Sequence, residues 1–233
     1  MFEDIEKACD SLMNDNLPIV FLDTCVYLNL LNSFYQKNLP DNYVNACLDI
    51  MHLHKKNCYM LTCTKIVEEF DRNIDTVTDN LRKEIVKSHD TINNTVNFIN
   101  HFHSSTLSIP SEQILSASVT GIMKKTAFGL LNIGGLIPHD GEHLKKAMER
   151  IMELRAPSRK GKAEPGDCLI IEVFFDLCHK LRQRGFTQKI AFITYNKDDF
   201  GTHGSLKEPL NHEFAKYGAD FYSDINHLVH DIK

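Results

Sequence analysis

Apolar residues along the chain follow two patterns. Short unbroken runs occur at 19–22 (IVFL), 58–61 (CYML), 190–193 (IAFI) and 219–222 (ADFY). Their length and continuity suit strands buried on both faces. Elsewhere apolar positions recur at helical spacing. Phe2, Ile5, Leu12 and Met13 predict a helix over 1–16 that Pro18 stops, and Val44, Cys47, Leu48 and Met51 predict another over 42–55. Thr64 suits the N-cap of a helix over 64–73. Helices are also expected over 167–183, 208–217 and 224–232. Strands alternating with helices imply an α/β fold with a parallel sheet and right-handed crossovers. In such folds sites form at the carboxyl ends of strands.

Residues 74–160 break this alternation. They are rich in Asn, His, Lys and Ser and are helical in pieces: Ile85, Ile92, Val96 and Ile99 mark one helix, Ile114, Leu115 and Val119 another. GLLNIGGLIPHDG at 129–141 is a turn-rich break, and 142–154 is a clean amphipathic helix. No strand is expected here. The chain therefore reads as a single domain over 1–233, with 74–160 a helical insertion or cap.

A hydrophobic content of 42% is enough for a real core, so disorder is not the default. The net charge of −5 argues against a broad phosphate-binding face, so any nucleic-acid contact must be local. Seven cysteines, an odd number without a CxxC pair, fit a reducing compartment. The first residues, MFEDIEKACD, have no signal-peptide apolar stretch, and no run approaches the ~18 apolar residues of a membrane span. A soluble cytoplasmic protein is expected.

Four acids stand at the ends of the strands or on the helices beside them: Asp23 after IVFL, Glu69 in KIVEEF, Asp167 in EPGDCLIIEV, and Asp199 in ITYNKDDF. Each has an ordinary explanation. Asp23 suits a helix N-cap and Asp167 a helix first turn. Glu68 and Glu69 suit a solvated pair, and the Asn196–Asp199 acids suit turn chemistry. Their joint order carries more weight. Carboxylates about 4 Å apart repel by about 4 kcal/mol per pair at an effective dielectric of about 20. A divalent cation removes that cost, and hard oxygen ligands select Mg²⁺ or Mn²⁺. A haloacid-dehalogenase phosphotransferase would need a second Asp at position 25, where Cys25 stands.

The set IVFLDT, IVEEF, GDCLIIE and FITYNKDDF resembles the PIN domain, a nuclease fold of toxin-type and RNA-processing ribonucleases. RKGKAEPGDCLIIE with ITYNKDDF is similar to a bacterial PIN-like family with a long helical insertion. The resemblance covers roughly residues 17–73 and 160–222. It implies a three-layer fold with a central parallel sheet and helices on both faces. It also implies a Mg²⁺- or Mn²⁺-dependent endoribonuclease, with one or two ions held by Asp23, Glu69, Asp167 and Asp199, and in bacteria a toxin or an effector of phage defence. PIN domains commonly carry an acid two residues after the Thr of the fourth motif. Here that position is Asn196, which leaves the number of ions open and keeps a second reading alive, a catalytically silent module that binds RNA or a protein. Thr194 and Asn196 would position a water or a phosphate oxygen.

RNA, single-stranded or structured, is the expected partner, beside a regulatory protein. Its grip is expected from Arg155, Arg159, Lys160 and Lys162, in a basic stretch with Lys145, Lys146 and Arg150. Apolar faces on the insertion helices would also serve a homo-oligomer. The pairs His101/His103 and His139/His143 lack a third ligand, so zinc is not expected.

Overall fold

The computed structural model describes residues 2–37, 39, 40, 42–103 and 106–233; Met1, the first residue of the predicted 1–16 helix, lies outside them. Five parallel strands make the central sheet: β1 (Ile19–Leu22), β2 (Tyr59–Cys63), β3 (Gly135–Ile137), β4 (Ile190–Ile193) and β7 (Asp220–Tyr222), in the order β3-β2-β1-β4-β7. All residues of β1, β2 and β4 are buried, which explains their continuous apolar sequence. A hairpin of β5 (Gly201–Thr202) and β6 (Ser205–Leu206) lies apart from the sheet.

Helices flank the sheet as the outer layers of an α/β fold. One group comprises α1 (Ile5–Asp15), α6 (Gly141–Met152), α7 (Pro165–Gln183) and α9 (Leu210–Tyr217), with α7 central to it. The other comprises α2 (Thr24–Asn32), α3 (Tyr43–Leu53), α4 (Thr64–His103), α5 (Glu112–Ile133) and α10 (Ile225–Ile232). Phe21 of β1 and Phe192 of β4 meet Phe174 of α7 at ring-centroid distances of 5.5 and 5.1 Å. Phe192 also stacks on Phe200 at 5.6 Å. Such pairs add about 0.5–1.5 kcal/mol each beyond area burial.

Two features of residues 74–160 differ from expectation. The 64–73 helix does not end there: α4 runs unbroken to His103, about 60 Å at 1.5 Å per residue, and pairs with α5. A strand also lies in this stretch. β3 adds to the sheet edge through Leu61↔Gly135 and Cys63↔Ile137. Its one glycine serves close packing. A Cβ on Gly135 would stand 2.6 Å from the Phe2 ring and 3.0 Å from the Tyr59 ring.

Chain order sets where a crevice forms. From β1 the chain moves to β2 and β3 on one side, then returns to β4 and β7 on the other. The switch point lies between β1 and β4, at their carboxyl ends. Leu22 is in register with Ile193, so Asp23 and Thr194 leave the sheet side by side. The Asp23 N–H donates to Ile193 O at 3.1 Å.

Candidate metal centre

Asp23 caps α2, as a strand-to-helix Asp often does, but only one of its oxygens is used for this. Oδ1 accepts from the Thr24 N–H at 2.7 Å. Oδ2 accepts from Thr194 Oγ1 at 2.6 Å and from the Cys25 thiol at 3.2 Å. The Asp23 side chain is buried, and burial pushes its pKa up despite these bonds. Burial, with Asp23 beside it, also pushes the Cys25 thiol well up, so Cys25 stays protonated and serves as a donor to Asp23 and an acceptor for the Tyr195 N–H.

Glu69 lies on the second turn of α4. Ile66 and Phe70 are fully buried, with Phe70 against Tyr27 and Phe128, and this fixes the helix rotation. Glu69 therefore turns inward and accepts from Thr24 Oγ1 at 2.9 Å, while Glu68 remains more than half exposed. Its nearest cation is Lys65 Nζ, 4.0 Å away. Burial raises its pKa, and Asp23 adds repulsion.

Asp167 stands in the first turn of α7. Gly166 before it is needed for the approach of α4, because a Cβ there would overlap Glu69 Oε1. Asn196 Nδ2 donates to Asp167 at 2.8 Å, and the Asn196 N–H donates to Thr194 Oγ1 at 3.0 Å. Hydrogen bonds thus run from Glu69 through Thr24 to Asp23, and on through Thr194 and Asn196 to Asp167. The Asp167 carboxyl is pushed well above the usual carboxylate range, first by burial and then by Asp23, Glu69, Glu164 and Asp199.

Asp199 is fixed by its neighbour Phe200, the fully buried residue ending α8 (Lys197–Phe200). It differs from Asp23 and Asp167 in being paired, and more closely than Glu69 is. Lys162 Nζ lies 2.5 Å from its Oδ2 and Arg159 Nε 3.5 Å from its Oδ1. Burial acts to raise its pKa, but Lys162, Asn196 and Arg159 hold it below the ordinary value.

The remaining basic residues do not act alike. Lys160 is exposed, and Arg155 is half-buried between Glu153 and Glu213. Arg150 is not part of a basic surface. It is 1% exposed and bonded to Glu172 at 2.7 Å and to Glu213 at 2.8 and 2.9 Å. Glu172 is buried as its partner. His139 bonds Thr64 Oγ1 at 2.6 Å and ties the β3–α6 loop to the start of α4.

Sequence reasoning missed Glu164. It sits at φ +44°, a left-handed conformation rare for residues other than glycine. Its carboxylate converges with those of Asp167 and Asp199, with ligand oxygens within 4.8 Å of one another. Its only sequence signal is an acid three positions before Asp167, which the following Pro165-Gly166 makes look like a loop.

The oxygen set fits a hard divalent cation. Among the described residues, Asp23 and Asp167 have no Lys or Arg within ion-pair distance, yet both are driven toward the neutral form. A bound cation would reverse that drive. Among the described residues, the carboxylates whose oxygens converge within 4.8 Å of one another are those of Glu164, Asp167 and Asp199.

A family model described as PIN domain matches residues 20–200, more than half of the chain. The chain belongs to the PIN domain family. No curated protein and no solved structure matches it. PIN domains are generally nucleases that use divalent metals, and in this PIN domain the matched span contains Asp23, Glu69, Glu164, Asp167 and Asp199. No helix among the described residues is long and apolar enough to cross a membrane.

Proposed function

We propose that this PIN domain is a Mg²⁺- or Mn²⁺-dependent endoribonuclease. One observation supports the reading above the others: Asp23, Glu69 and Asp167 come from three separate segments, are linked by one chain of hydrogen bonds, and are pushed toward the neutral form by burial, with repulsion from Asp23 added at Glu69 and Asp167. Structural carboxylates usually gain a cationic partner. These are arranged to receive one.

When bound, the ion supplies a lowered water pKa and stabilisation of the leaving oxygen in an in-line displacement at phosphorus. The chain does the rest. Thr24, Thr194 and Asn196 donate to the three carboxylates and fix which lone pairs stay free. Thr194 and Asn196 thus act on substrate through the acids they orient. Arg159, exposed and 3.5 Å from Asp199, and exposed Lys160 at the tip of the same turn offer a local phosphate grip on an otherwise acidic protein. RNA as substrate, in preference to DNA, rests on the likeness of the motifs to RNA-processing relatives.

The test is cleavage of labelled single-stranded RNA and DNA with Mn²⁺ or with EDTA, beside Asp23→Asn. Cleavage of RNA with Mn²⁺ alone is expected. The variant should lose more than the about 10–100-fold that removal of an outer-shell partner costs. Cleavage of DNA alone would overturn the substrate class. RNA binding without cleavage of either substrate would make the chain a silent binding module.

A further inference from the structure

The segment between α6 and α7 folds back on itself. Arg159 and Lys162 exchange both backbone hydrogen bonds, at 2.9 Å each, around a tip of Lys160 and Gly161. Gly161 has φ +84°, which favours a residue without Cβ. The tight turn carries Lys162 back toward the acids. Its Nζ lies 2.6 Å from Glu164 Oε1 and 2.5 Å from Asp199 Oδ2.

Those two carboxylates, with Asp167, form the converging oxygen trio. Asp167 is shared: it also belongs to the set with Asp23 and Glu69. Lys162 touches Glu164 and Asp199 and not Asp167, so its ammonium stands on the side of the trio away from Asp23 and Glu69, in a second cation position adjoining the first through Asp167. Asp199 has a buried oxygen, Oδ1, with no hydrogen-bond partner, although its side chain is fully buried. A buried carboxylate oxygen left in that state calls for a nearby positive charge. Arg159 Nε faces Oδ1 at 3.5 Å, and the ammonium of Lys162 holds the other oxygen of the same carboxylate, Oδ2, at 2.5 Å.

We infer that Lys162 occupies the second cation position with a tethered ammonium, so that this centre takes one divalent ion where the residues could otherwise hold two. The inference rests on Asp23, Glu69 and Asp167 holding the first ion. A lysine is a compact point charge on a flexible stem, able to sit between two carboxylates as a cation would. It carries one charge in place of two, brings no ligand water, and cannot be removed by a chelator. Asp199 is then an anchor for the hairpin, and the Asn at 196 needs no acid in its place.

The experiment is Mn²⁺ binding by calorimetry, with electron paramagnetic resonance to detect a coupled ion pair, on the full chain and on Lys162→Met, Lys162→Arg and Asp23→Asn. Lys162 is exposed along its stem, and thermal melting of each variant checks that it folds. The expected result is one ion for the wild type and for Lys162→Arg, and two spin-coupled ions for Lys162→Met. Two ions in the wild type, or one in Lys162→Met, would overturn the inference and leave the single-ion reading of Asp23, Glu69 and Asp167 standing. No ion in the wild type, or undiminished binding in Asp23→Asn, would instead sink that reading and the inference with it.

Discussion

Asp167 concentrates the conflict in this molecule. Its carboxyl is largely buried, receives one side-chain donor, and faces Asp23, Glu69, Glu164 and Asp199. Its folded pKa lies well above the unfolded one, so the folded chain holds a proton that the unfolded chain releases. For such a group stability is highest at low pH and falls as pH rises from the ordinary carboxylate range through the raised value. Asp23 and Glu69 have the same sign; Asp199, held low by Lys162, has the opposite sign and weakens the fold only as pH drops. Asp167→Asn keeps an oxygen for Asn196 and removes the charge. In EDTA at neutral pH the variant should melt several degrees above the wild type, where about 1 kcal/mol corresponds to 2–4 °C for a chain of this size. The gain should shrink as pH is lowered toward the range where the wild-type carboxyl is itself protonated. Adding Mn²⁺ should raise the wild-type melting point and not that of the variant. An Asn variant less stable than wild type in EDTA at neutral pH would contradict the account.

At the scale of elements, the acids were legible because they lie where strand and helix meet, and the strands were legible because double-sided burial leaves an unbroken apolar run in β1, β2 and β4. What stayed hidden depends on distant partners. Gly134-Gly135 reads as a turn in isolation, and only the rings of Phe2 and Tyr59 explain why a strand residue must lack a side chain. Lys162 and Glu164 read as loop charges until the hairpin brings them to Asp199. Arg150 reads as one more surface cation, since its partners lie 22 and 63 positions away. In the fold its guanidinium joins α6 to α7 through Glu172 and to α9 through Glu213, and donates to Ala156 O at 2.6 Å. Removing one member of such a buried set leaves the others uncompensated, at about 3–5 kcal/mol. Arg150→Ala should therefore lower the urea midpoint by that equivalent, and the loss should be partly recovered in the triple variant with Glu172→Gln and Glu213→Gln. A loss below about 1 kcal/mol, as for exposed pairs, would mean that the set is solvated.

At the scale of the molecule, stability is distributed unevenly along a single helix. The buried residues of α4 are Ile66, Phe70, Ile74, Thr78, Leu81 and Ile85, and none follows. Beyond Ile85 the helix packs as one arm of a hairpin with α5, fastened by the Asn100 side chain to Leu107 and by His89 to Pro110 O. The arm leaves Ile92, Phe98 and Phe102 about half or more exposed, and residues 91–111 contain no Asp, Glu, Lys or Arg, so charge pairs do not hold it. The first half of α4 carries Glu69 and packs on α2 and β2, which holds Glu69 independently of the distal arm. Helical stability in proteins comes chiefly from tertiary burial of one face. Opening free energy should accordingly fall along α4, with each 1.4 kcal/mol lost giving tenfold faster amide exchange. Native-state hydrogen exchange should show residues 66–85 near the global limit and residues 92–103 exchanging at least about 100-fold faster. Uniform protection along the helix that holds at every protein concentration would refute this gradient. Protection of the arm that grows with protein concentration would show a second copy covering Phe98 and Phe102.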